Sequence, residues 1–299
     1  MELEQIPAKT IVSAYTPGSQ WFGINYNMNI YKGCCHGCIY CDSRSACYRV
    51  EDFDRVRIKE KALETIRNDL RRKVKPGVVG TGAMSDPYNP FEEELCLTRH
   101  ALELIDAYQC GVAAATKSDL IVRDIDLYRL IRDHSPVICK LTVTTADDVL
   151  AAKIEPCAPS PSRRLKALEE LSKAEIFSGV LLMPVLPFVE DSRENVLSVV
   201  DSAARAGAKF VYAAFGVTMR DGQREYFLNG LDRVFPGQGI GERYRKRYGS
   251  RYMCSSSRAR ELWELFSARC RELGLLYEMK HIISAATRSY GDRQLSFFD

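Results

Sequence analysis

From residue 27 to residue 214, short apolar runs alternate with longer stretches of helical spacing. This rhythm limits the possible folds more than any other property of the chain. Runs at 27–31, 77–82, 112–116, 137–144, 180–183 and 210–214 read as strands bounded by glycine, proline or charge. Between the first two, Leu63, Ile66, Leu70 and Val74 recur at helical spacing. Further helices are expected at 97–108, 121–132, 162–174 and 193–206, the last closed by Gly207. Six strand–helix repeats predict a parallel sheet with helices outside it. A doubly wound sheet and a partial barrel both satisfy the pattern. A dinucleotide fold does not, because Gly80-Thr81-Gly82 runs into Ala83, Met84 and an acidic turn.

No apolar run approaches the length needed to cross a bilayer, so no membrane role is expected. The net charge of +3 does not by itself demand a polyanionic partner. The opening Met-Glu-Leu-Glu-Gln-Ile-Pro has no basic segment followed by an apolar core, so a cytoplasmic location is expected. In a reducing compartment the eleven cysteines stay free, and most serve as small buried hydrophobes.

Three of them stand apart. Cys34, Cys38 and Cys41 follow the first strand in the order Cys-x3-Cys-x2-Cys. Thiolates this close together can hold three irons of one cube and leave the fourth iron without a protein ligand. The rival is structural zinc on Cys34, Cys38, Cys41 and either Cys35 or His36. Structural zinc usually takes paired ligands from two separated segments. The chain has no second Cys-x2-Cys or Cys/His pair, which favours the iron–sulfur reading. The zinc reading would make the protein a non-catalytic, metal-stapled binding module.

The other strand ends carry polar residues. The second continues into Ser85-Asp86-Pro87-Tyr88-Asn89-Pro90, which suits a cationic ligand group and is also good turn chemistry. The third ends in Thr116-Lys117-Ser118-Asp119, where the lysine is either a point charge for a carboxylate or a solvated loop residue. On the fourth, alternation aims Thr142 and Thr144 to one face, although threonine is also a plain strand former.

With Tyr40 just before its last cysteine, the cysteine loop resembles that of the radical S-adenosylmethionine (SAM) superfamily. Together with the other three strand ends, over 27–187, it resembles the spore photoproduct lyase-like branch, and most of all its uncharacterised members. The resemblance implies a partial (β/α)6 TIM-type barrel with its chemistry at the carboxyl ends of the strands. It implies a 4Fe–4S cluster on Cys34, Cys38 and Cys41, and reductive cleavage of SAM to methionine and a 5′-deoxyadenosyl radical. It implies that Ser85 and Asp86 meet the SAM amino group, that Lys117 and Thr142 contact its carboxylate and ribose, and that Tyr40 lies against the adenine. An electron donor such as flavodoxin or ferredoxin is expected. One departure concerns the lyase's hydrogen-donor cysteine, which precedes its Ser-Asp pair. Here the neighbourhood reads Ala83-Met84-Ser85, and a thioether has no S–H to give. Cys96, Cys139 and Cys254 are the substitutes considered, and nothing in the sequence selects among them.

The division expected is an arm at 1–24, a barrel core at 25–215 and a C-terminal helical extension at 216–299. In the extension, 220–231 and 262–273 read as helices and 275–283 as a late strand. Within 241–252, five basic residues alternate with Tyr244, Tyr248 and Tyr252. Cations can meet phosphates while rings stack on unpaired bases; alternatively, the tyrosines pack inward under a solvated basic face. The ending Gln294-Leu295-Ser296-Phe297-Phe298-Asp299 resembles the peptide by which bacterial repair and replication proteins dock on the sliding clamp. Leu295, Phe297 and Phe298 supply the apolar contacts and Gln294 a backbone-binding amide. The expected activity is DNA repair-like radical chemistry on a nucleic acid. The alternatives are the same chemistry on a small molecule or peptide, and the binding module.

Overall fold

The computed structural model describes residues 3–15, 21–72 and 75–290. Val74 and the tail residues Gln294, Leu295, Phe297 and Phe298 lie outside the described residues.

Six parallel strands form the centre: β1 (Tyr26–Met28), β2 (Val78–Thr81), β3 (Gly111–Thr116), β4 (Val137–Thr142), β5 (Ser178–Leu182) and β6 (Phe210–Ala213). They neighbour one another in chain order, and Val12–Ala14 adds an antiparallel edge beside β1. A doubly wound sheet needs a reversal in that order. None occurs, so the repeats wind one way into the open barrel. Register is continuous through Asn27↔Gly80, Gly80↔Ala113, Ala115↔Lys140, Lys140↔Gly179 and Gly179↔Phe210.

Period-two alternation divides each strand between two cores. Val79, Val112, Cys139, Leu141, Val180 and Val211 face outward into the layer shared with the helices. Ala113, Ile138, Leu181 and Phe210 face inward, where Phe22, Ile282 and Ala286 close one end of the barrel. Most of the helices lie near their expected places: Ala62–Arg71, Leu97–Ala107, Ile125–Arg132, Pro161–Lys173 and Arg193–Arg205.

The strand expected at 275–283 is a correction. Leu276 makes one bridge to Phe210, and the chain then enters the helix Met279–Thr287. Its buried residues Ile282 and Ala286 are four apart, the spacing of one helical face. The helices expected at 220–231 and 262–273 run Gln223–Val234 and Ala259–Glu272.

A further core joins the C-terminal helices to the cysteine loop. Phe227, Leu231 and Tyr244 pack there with Ile39, Tyr40 and Leu186. Tyr244 and Tyr248 are buried under the helix Ile240–Tyr248, whereas Tyr252 stays exposed. Two of the three tyrosines thus pack inward, and the basic residues between them remain at the surface. The short strands β7 (Gly216–Thr218) and β8 (Met253–Ser255) pair antiparallel beside the barrel mouth. No helix of the described residues is long and apolar enough to cross a membrane.

Candidate active site

The strand β1 leads through Tyr31–Lys32 directly into the cysteine loop. Tyr31–Lys32 pairs with Arg57–Lys59, which tethers the loop's entrance. Gly33 has φ +84°, and a Cβ there would lie 2.4 Å from the Arg55 carbonyl oxygen. No other residue fits that turn without moving backbone. The Cys34 amide then donates to the Phe53 carbonyl at 2.8 Å, and the Ile39 amide to Ile154 at 3.0 Å. The loop is therefore held from both flanks.

Cys34, Cys38 and Cys41 all border one cavity of about 600 Å³ at the carboxyl ends of the strands. Among the described residues, no three His, Cys, Asp or Glu side chains converge on a single ion. A cube asks for a different arrangement, since each thiolate addresses its own iron. Three cysteine sulfurs around one cavity, with the neighbouring His36 and Asp86 paired to each other, fit a cluster that keeps one iron open. Cys35 packs against the outer core instead, and His36 is buried with Nδ1 3.4 Å from Asp86. Burial pushes the Cys34 thiol up to about 12, and the Asp86 carboxylate adds to the shift. Burial raises Cys38 and Cys41 as well, against the pull of Lys117. Iron loading must therefore expel protons from all three.

Ser85, Asp86, Lys117, Thr142 and Tyr40 line the same cavity, so the structure brings together every sequence-predicted cofactor contact. Several of these side chains already have protein partners. Ser85 donates to the Tyr31 carbonyl at 3.1 Å. Asp86 accepts from Thr116 Oγ1 at 2.6 Å, the Lys117 amide at 2.8 Å and the Tyr88 amide at 2.9 Å. It thus makes its own turn while locking the end of β2 to the end of β3. Tyr40 donates its hydroxyl to Glu155, and Lys117 Nζ lies 3.9 Å from the same carboxylate and 5.5 Å from the Tyr40 ring centroid.

Glu155 and Arg164 are residues the sequence reading missed. Arg164 donates to Glu155 Oε2 at 2.5 Å and to the Thr142 carbonyl at 2.9 Å, and both side chains are buried. Burial alone would push the Glu155 carboxyl up; Arg164 and Lys117 outweigh it and hold it below its ordinary value. The result is a buried ionic girder under the cysteine loop. It joins Tyr40, Lys117 and the end of β4. Its only sequence signal is the charged Glu155 at the head of a proline-rich turn.

The substitute hydrogen donors do not reach the cavity. Cys139 belongs to the outer core and Cys254 to the core of the C-terminal helices, while Cys96 points back to the Glu93 carbonyl. The sulfurs bordering the cavity, among the described residues, are the three loop thiols and the thioethers of Met84, Met183 and Met253.

The sequence profile of the Radical SAM superfamily matches residues 28–210. An uncharacterized protein of Mycobacterium tuberculosis is 29% identical over 239 residues, spanning 78% of this chain and 69% of the relative. An uncharacterized protein of Methanocaldococcus jannaschii is 33% identical over 172 residues, 56% of this chain and 63% of its own. Among solved structures, a spore photoproduct lyase variant superimposes with a TM-score of 0.65 at 14% identity, covering 92% of this chain and 81% of that one. A further variant, with bound AdoMet and dinucleoside spore photoproduct, gives 0.62 at 15% identity, covering 89% and 79%. A radical S-adenosylmethionine methyltransferase from Kitasatospora setae with tryptophan substrate and a SAM analogue bound gives 0.53 at 12%, covering 85% and 52%. The cysteine loop at the end of the first strand, the open six-stranded barrel and the profile match agree: this chain belongs to the Radical SAM superfamily and is a radical SAM enzyme that uses a 4Fe–4S cluster and SAM.

Proposed function

We propose that the enzyme acts on a nucleic acid strand laid across the barrel mouth. The observation that carries this reading is the surface around the opening. Arg220 lies 4.9 Å from the Tyr252 ring centroid and 5.7 Å from that of Tyr48, with a 2.9 Å hydrogen bond to the Tyr252 hydroxyl. Met253 and Ser255 border both the barrel cavity and a neighbouring depression walled by Arg247 and Arg251. Arg247 and Arg251 as cations for phosphates and the exposed Tyr252 ring for an unpaired base thus lie beside the catalytic opening, where Asp42 holds Arg220 at 3.3 Å.

Cys34, Cys38 and Cys41 hold the cluster in this reading. When bound, the cluster and SAM together supply a 5′-deoxyadenosyl radical at the barrel mouth. Lys117 presents its ammonium to the SAM carboxylate, and Thr142 its hydroxyl to the ribose. Ser85 and the Asp86 turn face the amino group, and Tyr40, pinned by Glu155, backs the adenine. The apolar barrel wall keeps water from the radical. Since no cysteine other than the cluster ligands borders the cavity among the described residues, the reaction proposed is not the lyase's thiol-terminated route. An electron donor of the flavodoxin or ferredoxin type completes the system.

The test is anaerobic SAM cleavage with and without single-stranded DNA or RNA. We expect an oligonucleotide to accelerate formation of 5′-deoxyadenosine, and the paired change Arg220→Ala with Tyr252→Ala to weaken oligonucleotide binding by about tenfold or more. Acceleration by a metabolite or peptide pool with no response to nucleic acid would overturn the assignment. The proposed clamp peptide is tested separately. Deleting 294–299 should abolish clamp binding and leave SAM cleavage intact.

A further inference from the structure

The barrel interior holds one amine that the chemistry above does not use. Lys140 sits on the inward face of β4, two residues deeper than Thr142, and is 1% exposed. It borders the cavity. Its Nζ donates to the Ala113 carbonyl at 3.1 Å and lies 4.6 Å from the Phe22 ring centroid. Among the described residues no carboxylate pairs with it. A lysine nitrogen has two protons to donate as an amine and three as an ammonium, and one is spoken for. Its register partners are Ala115, which borders the cavity, and Gly179, whose bare Cα is covered by the Phe210 ring.

A second polar group faces the same interior. Asn27 on β1 borders the cavity, and among the described residues nothing hydrogen-bonds its carboxamide. The remaining deep wall is flat or aliphatic: Trp21, Ile24, Leu181 and Met183. Burial pushes the Lys140 amine down to about 7, so it can donate with little net charge.

We propose that Lys140 and Asn27 form a deep recognition subsite that takes the lactam carbonyl edge of a planar heterocycle. A lysine amine and a carboxamide offer several donors and one acceptor. Such an edge presents carbonyl oxygens flanking an N–H. The apolar walls favour a neutral ring over a hydrated oxyanion, whose desolvation they would not repay. The subsite concerns what enters the barrel. The rim concerns what lies across it. The two stand or fall separately.

The experiment uses the full chain with Trp263→Phe, so that Trp21 in the cavity wall is the remaining tryptophan. Uridine and inorganic phosphate are the probes, and intrinsic fluorescence is the readout. Saturable quenching by uridine is expected, weakened about tenfold or more by Lys140→Met. Lys140→Gln, which keeps an N–H donor, should recover part of that loss, and Asn27→Ala should weaken binding independently. Circular dichroism confirms that each variant folds. An absent uridine response, equal affinity in Lys140→Met, or phosphate competing at the same site would each overturn the proposal. Oligonucleotide-stimulated SAM cleavage is measured beside it. If oligonucleotides stimulate while Lys140→Met binds uridine as tightly as the parent, the subsite is wrong and the nucleic-acid reading stands. If uridine binds through Lys140 while no oligonucleotide stimulates, the reverse holds.

Discussion

Cys38 is the most enclosed of the three loop thiols, and it sits between the other two in sequence. Cys38→Ala should remove bound iron and acid-labile sulfide together with the brown absorbance, because two thiolates cannot hold the cube here. A colourless protein that keeps one zinc would contradict it. Glu190 offers a cleaner titration, away from the cluster ligands. It is buried, accepts from the Leu186 amide at 3.0 Å, and faces Thr144, Glu155 and Lys117. Burial raises its carboxyl from 4.5 to about 8, and Glu155 adds to the rise. The folded state therefore holds a proton that the unfolded chain releases. The associated stability is full below the unfolded value and is lost as pH climbs through the folded one. Between about pH 5 and about pH 8.5, urea unfolding should show roughly 2–4 kcal/mol of loss that Glu190→Gln does not share. Parallel curves for the two proteins would refute the burial argument. At this scale, local spacing made the cysteines legible. Glu155, Arg164 and Glu190 were not, because a charged residue in a loop or on a helix looks solvated until a distant partner covers it. Lys140 was half legible: a lone cation between Cys139 and Leu141 in an apolar strand is already an anomaly.

The helix Pro161–Lys173 shows how an element transmits order to the site. Ser160 caps it by accepting from the Arg163 amide, and proline occupies its first turn. That start places Arg164 against the Thr142 carbonyl, the Pro159 carbonyl and Glu155 at once. Removing the guanidinium takes the closest cation from a buried carboxylate and leaves it only the Tyr40 hydroxyl and Lys117 at 3.9 Å, which costs roughly 3–5 kcal/mol. Arg164→Leu should therefore lower stability by that amount, while Arg164→Leu with Glu155→Leu should recover most of it. A double variant as unstable as the single one would show that packing, not charge pairing, carries the effect. Element existence was legible wherever hydrophobic period and caps agreed, as in this helix. It failed at 275–283, where a short apolar run fits strand and helix equally, and the choice depends on what the run packs against.

That failure matters most for the whole molecule, because the misread helix helps to close the barrel. An open sheet of six parallel strands has an interior to fill at one end and a ligand to admit at the other. Large inward residues such as Ile138 and Phe210 meet Phe22, Ile282 and Ala286 at the closed end. Small ones, including Gly80 and Ala115, border the cavity. The chain's extremes are thus drawn into a core whose strands span its middle. Alternation in each strand shows that one face is inward; it does not show which later segment comes back to cover it. Ile282 is fully buried, with helix on one side and barrel on the other. Ile282→Ala should leave a cavity costing roughly 2–4 kcal/mol. It should also loosen Trp21, whose ring packs edge-on against Phe22 at 5.0 Å between centroids. Chemical denaturation and Trp21 fluorescence in the Trp263→Phe background measure the two effects together. A loss below about 0.5 kcal/mol, the range of ordinary surface substitutions, would mean the helix merely rests on the barrel. A full loss with unchanged Trp21 emission would separate the floor of the barrel from the wall of its cavity.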